Sequence, residues 1–164
     1  MKFIIRLFSA LIITFSYIEL AYSKTTKIII FGDSLIAGYG LVVEDNFVNQ
    51  LKLKTIEKKI NNLTLFNSGV SGETSTGLLN RYKWVLEDNY DGVIILIGAN
   101  DALRGIDPSL TSQNIEKILS YLKEKQIPTM LIGMKAPNNL GEIYVNEFNA
   151  IYPKLSKKYD TAYY

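Results

Sequence analysis

The stretch Lys27-Ile28-Ile29-Ile30-Phe31-Gly32-Asp33-Ser34-Leu35 decides the fold. Its apolar run is short, β-branched and unbroken by polar residues. A strand with one wet face alternates, whereas an unbroken run suits a strand covered on both faces of a parallel sheet. Gly32 ends the run where the chain must turn. The signature recurs: Leu63-Thr64-Leu65-Phe66-Asn67 leads into Ser68-Gly69, Gly92 to Ile97 into Gly98, and Thr129 to Ile132 into Gly133.

Helical periods separate these strands. Leu78, Leu79, Tyr82, Val85 and Leu86 form one apolar stripe, and Ile115, Ile118, Leu119 and Leu122 another. A third comprises Tyr144, Val145, Phe148, Ile151, Tyr152 and Leu155, with Pro153 predicting a kink or an end nearby. Asp45 to Ile60 is a fourth, with Phe47, Val48, Leu51 and Ile56 expected inward and Lys52, Lys54, Lys58 and Lys59 outward. Alternating strands and helices predict right-handed crossovers and an α/β fold of three layers, a parallel sheet between helices. The chemistry of such a sheet belongs at the carboxyl ends of its strands.

At 164 residues the expectation is one domain. The net charge of +2 gives no basic profile, so no nucleic-acid partner is expected. Cysteine is absent, which excludes disulfides, thiolate metal sites and cysteine nucleophiles. Histidine is absent too, and any hydrolytic mechanism must answer for that. Residues 1–23 read as a secretory signal peptide: Lys2 and Arg6 precede an apolar run from Leu7 to Tyr17, and Ala21 and Ser23 suit a cleavage site. Glu19 interrupts the run short of a spanning helix. The expected product is residues 24–164, exported to the periplasm or secreted, with no stable membrane anchor.

The strand-end loops carry the candidate chemistry. Ser34 follows the first strand on a glycine-bounded turn, where a nucleophile would sit. The loop has neither lysine nor a phosphate-cradling glycine pattern. An Asp33-Ser34 pair also suits a turn or helix cap. The second strand ends in Asn67-Ser68-Gly69-Val70-Ser71-Gly72-Glu73-Thr74-Ser75 and the third in Gly98-Ala99-Asn100-Asp101. The Asn100 amide and the Gly72 backbone N–H are candidate donors to an oxyanion. Singly, Gly72 is equally a turn glycine, and Asn100-Asp101 a loop residue and helix cap.

Together these blocks resemble the SGNH or GDSL serine hydrolases, above all the bacterial acyl-CoA thioesterase I, lysophospholipase and arylesterase branch. The resemblance covers residues 27–160 and rests on Phe31-Gly32-Asp33-Ser34-Leu35, Ser71-Gly72-Glu73-Thr74-Ser75, Gly98 to Gly105, and Ala136 to Gly141 leading into Ala150 to Pro153. It implies a flavodoxin-like sheet. It also implies Ser34 as nucleophile, an oxyanion hole of the Ser34 N–H with Gly72 and Asn100, Asp33 orienting the nucleophile turn, and a structural Asp101. The implied reaction passes through an acyl-serine, needs no cofactor and no metal, and takes small acyl esters, thioesters or lysophospholipids. Leu35, Leu103, Met134 and Leu140 are candidate acyl-chain contacts, or simply packing residues. A monomer is expected.

The family's closing Asp-x-x-His block has no counterpart here. Asp160-Thr161-Ala162-Tyr163 cannot replace it, because a tyrosine is a poor base at neutral pH. Tyr159 to Tyr164 resembles the approach to a fifth strand, which predicts a chain cut before its last strand and C-terminal helix are complete. The alternative is a non-catalytic binding protein that has lost its base. A carbohydrate O-acetyl esterase is a further possibility on the same scaffold.

Overall fold

The computed structural model describes residues 24–164, so the predicted signal segment 1–23 lies outside the described residues. Strands β1 (Thr26–Gly32), β2 (Leu63–Gly69), β3 (Gly92–Leu96), β4 (Thr129–Leu131) and β5 (Ala162–Tyr163) form one sheet in the order β2-β1-β3-β4-β5. Every pairing is parallel. Helices α1 (Ser34–Ala37), α2 (Phe47–Glu57), α3 (Ser75–Val85), α4 (Ala99–Leu103), α5 (Pro108–Glu124) and α6 (Glu142–Tyr159) complete the α/β fold. No helix of the described residues is long and apolar enough to cross a membrane.

The unbroken apolar runs are buried in both directions, as their composition requires. Ile29 and Phe31 of β1 and Val93 and Ile95 of β3 point into a core with α3, α5 and α6. Ile30 and Leu96 point the other way, onto Ile36 of α1, Val48 of α2 and Leu65 of β2. The second core is much the smaller. Ile94, Met130 and Ile132, which share its face of the sheet, are only half-buried.

Two helices differ from expectation. The segment predicted over 45–60 has a helix only at 47–57, where Val48 is its sole buried residue and Leu51 is half-buried. Phe47 and Ile56, expected inward, are exposed, Ile56 by 71%. The four lysines are exposed as expected. Pro153 does not end α6, which continues to Tyr159. It is exposed and lacks the N–H that would bond to the Asn149 carbonyl. The Asn149 side chain is used elsewhere, accepting from the Ala136 N–H at 2.9 Å.

Candidate active site

The topology brings three loops to one place. β1 lies between β2 and β3, the chain moving from it outward to β2 and then back across it to β3, which opens a crevice at the carboxyl ends. In register, Gly32 is flanked by Gly69 of β2 and Leu96 of β3. The loops that follow these three residues carry Ser34, Gly72 and Asn100.

Ser34 is the first residue of α1 and is half-buried. Asp33 caps that helix, its Oδ1 accepting from the Leu35 N–H at 3.0 Å. The carboxylate thus caps the turn that bears Ser34. Asp33 is fully buried and its Oδ2 has no hydrogen-bond partner among the described residues. Burial pushes its carboxyl above the usual range, and nearby Glu73 and Asp101 push the same way against the Leu35 hydrogen bond.

The β2 loop is fastened to this turn. The Val70 N–H donates to the Gly32 carbonyl at 2.9 Å, and the Asn67 amide donates to the Ile36 carbonyl at 2.8 Å. Gly69 must be glycine for this approach, since a Cβ there would lie 2.2 Å from the Ala37 nitrogen. Gly72 has φ +79, a conformation that a side chain resists.

Asn100 lies in α4 rather than in an open loop. Its Nδ2 donates to the Glu73 carbonyl at 3.0 Å, which joins the β3 loop to the peptide after Gly72 and leaves the second amide hydrogen for another acceptor. Arg104, at the end of α4, donates to the Gly72 carbonyl at 2.8 Å. The Glu73 carboxylate accepts from Arg81 at 2.6 and 2.7 Å, and Arg81 also holds Ser68. Sequence reasoning passed over Arg104, Arg81 and Glu73. Their partners lie on other elements, and no spacing rule connects them.

Asp101 is buried and structural. Its oxygens accept from the Ser75 N–H at 2.8 Å, the Ser75 hydroxyl at 2.5 Å and the Thr111 hydroxyl at 3.1 Å. Asn114 donates to the Ser75 and Thr76 hydroxyls, so α3, α4 and α5 meet at one carboxylate. The four candidate acyl-chain contacts divide. Leu35 and Leu103 are exposed, by 53% and 71%. Met134 and Leu140 are half-buried against the core.

The model of the GDSL-like Lipase/Acylhydrolase family matches residues 30–164. The chain belongs to this family. It is 32% identical over 154 residues to an arylesterase of Vibrio mimicus, covering 93% of this chain and 76% of the relative. It is 34% identical over 134 residues to thioesterase 1/protease 1/lysophospholipase L1 of Escherichia coli (strain K12), covering 81% of this chain and 62% of the relative. Among solved structures, AlinE4, an SGNH-hydrolase family esterase, superposes with a TM-score of 0.82 at 40% identity, over 87% of this chain and 77% of that one. The fold and scaffold of this GDSL family chain are those of an ester-cleaving serine hydrolase.

Proposed function

We propose that Ser34 is the nucleophile of a carboxylic ester and thioester hydrolase whose substrates are small acyl esters, acyl thioesters or lysophospholipids. The observation that carries this reading is the place of Ser34: the first residue after its cap, at the carboxyl end of a central strand, between the loops that carry Gly72 and Asn100. The Ser34 hydroxyl oxygen attacks the acyl carbonyl and gives up its proton, the C–O or C–S bond breaks as the leaving alcohol or thiol takes a proton, and water then adds to the acyl-serine and releases the acid, returning a proton to Ser34. Donors for the oxyanion are the Ser34 and Gly72 N–H groups and the Asn100 hydrogen not given to Glu73. Leu35 and Leu103, standing in solvent beside these groups in sequence, are the acyl-chain contacts favoured by their exposure.

The proton acceptor is the weak side of this chain. It has no histidine. The carboxylates on the three loops do not replace one, since Glu73 is held by Arg81, Asp101 by Ser75 and Thr111, and Asp33 is enclosed. In subtilisin, loss of the catalytic histidine costs about 10⁶ in kcat. A chain without that base should therefore turn over slowly, and the same chain carrying an Asp-x-x-His block should turn over fast. The test is hydrolysis of nitrophenyl butyrate by the protein expressed from its complete reading frame, with Ser34→Ala alongside. Loss of activity in the variant is expected, and equal rates would refute the assignment. The absent histidine favours one second reading, a binding protein that keeps the pocket without turnover. It predicts that Ser34→Ala changes no rate while acyl ligands still bind.

We also propose that residues 1–23 direct export and are removed, and that the exported product is a monomer without a membrane anchor. N-terminal sequencing of periplasmic material should begin at Lys24, and an intact Met1 there would overturn this.

A further inference from the structure

A second feature lies at the amino ends of the strands, a β1 length of roughly 20 Å from Ser34. It is a cleft of about 580 Å³ between β1, the end of α3 and the end of α5. Its apolar floor is Leu86, Tyr90 and Ile127, and its walls carry Lys27, Lys83 and Lys125. We propose that this cleft binds a small, multiply charged oxyanion, a phosphate-bearing molecule with an apolar body.

Charge is the first support. Lys24 and Asp91 satisfy each other at 2.6 Å, and the second Asp91 oxygen takes the Lys27 N–H at 2.9 Å. Lys27, Lys83 and Lys125 form no ion pair among the described residues, and Glu87 is the only other carboxylate of the lining. Positive charge is therefore gathered in excess in a concave place, where low-dielectric walls strengthen its field.

Geometry is the second. The Lys83 Nζ lies 5.1 Å and the Lys125 Nζ 5.8 Å from the centroid of the Tyr121 ring. Sharing one ring keeps the two ammonium groups within about 11 Å of each other, a span that one polyphosphate can bridge. The helices lower the cost of assembling them, because Lys83 lies in the last turn of α3 and Lys125 caps α5, where the helix dipole favours cations. The cleft volume exceeds that of a lone phosphate, and the floor of Leu86, Tyr90 and Ile127 supplies apolar surface for the remainder of the ligand.

Isothermal titration of tripolyphosphate into the full chain tests the proposal independently of catalysis. Saturable one-to-one binding is expected, weakening as salt rises from about 50 to about 200 mM. The double variant Lys83→Gln/Lys125→Gln should lose at least about tenfold in affinity, for two charge-assisted contacts to a multivalent anion. Lys52→Gln/Lys59→Gln, on the far side of the sheet, should lose nothing. No saturable binding, or an equal loss in both double variants, overturns the proposal. A parallel arm with vesicles containing phosphatidic acid separates the sources. Vesicle binding lost in Lys83→Gln/Lys125→Gln and displaced by tripolyphosphate places the phosphate on a lipid headgroup, and tripolyphosphate binding alone places it on a soluble ligand.

Discussion

At Asp33 a single carboxyl does two things that conflict. It must accept from the Leu35 N–H to hold the Ser34 turn, and it does so fully buried, with Oδ2 lacking a partner among the described residues. A carboxyl whose pKa is raised by folding holds its proton more tightly in the native state than in the unfolded chain. Native stability is therefore whole below the ordinary value of 3.8, declines as pH climbs past it, and carries the full cost of the buried charge above the raised native value. Asp33→Asn keeps an acceptor for Leu35 and removes the charge. Its melting temperature relative to wild type should move in the variant's favour between about pH 4 and about pH 7, and calorimetry at the two values checks it. Any fixed offset from the new amide nitrogen cancels in that difference. An unchanged difference would mean that Asp33 is not strained by its burial. That Ser34, Gly72 and Asn100 follow adjacent strand ends was legible in the sequence, because each comes after an apolar run that ends in a turn. The strain at Asp33 could not, because it depends on which groups surround the carboxyl rather than on which residues precede it.

Among elements, the braces behind the site are what the sequence concealed. The Tyr152 hydroxyl of α6 donates to the Ile97 carbonyl at 2.8 Å, at the point where β3 gives way to the Asn100 loop. Tyr144, two turns earlier, donates to the Ile106 carbonyl at 2.7 Å. Phe148 lies between them, stacked on Tyr144 and edge-on to Tyr152. The periodicity of 144–155 identified this face as apolar and core-facing, which it is, but a hydropathy pattern does not show that two of its rings end in hydroxyls aimed at one loop. Tyr152→Phe keeps the ring and strands a buried carbonyl. It should cost about 1–3 kcal/mol in urea denaturation, and in the complete reading frame it should lower kcat more than it raises KM if the loop carries an oxyanion donor. α2 shows the opposite failure. Leu53 and Ile56 face solvent while Val48 and Leu51 face the sheet, and a helix with apolar residues on both sides offers the sequence reader no means of choosing between them.

The whole molecule is a sheet with unequal covers. On one face α3, α5 and α6 bury Leu78, Tyr82, Ile118, Leu122, Phe148 and Tyr152 in a continuous core. On the other, α1 and α2 contribute only Ile36 and Val48 as buried side chains. At roughly 25 cal/mol per Å² of buried apolar surface, the helices of the first face are held far more strongly than α2. Strand runs apolar on both sides announce two covers but not how thick each is, because thickness is set by the helices. Local opening follows the weaker packing, and segments with few buried contacts open well below the global unfolding free energy. Backbone amides of 48–57 should therefore exchange at least about a hundredfold faster than those of 112–124 under native conditions, since a difference of about 3 kcal/mol in opening free energy suffices for that ratio. Hydrogen exchange followed by mass spectrometry at neutral pH resolves the two peptides directly. Equal protection would show that α2 opens only with the whole domain. Faster exchange would show that the Ser34 turn, which Asn67 and Val70 fasten to β2, lies between a mobile cover and a rigid one, with its position set by the strands and not by α2.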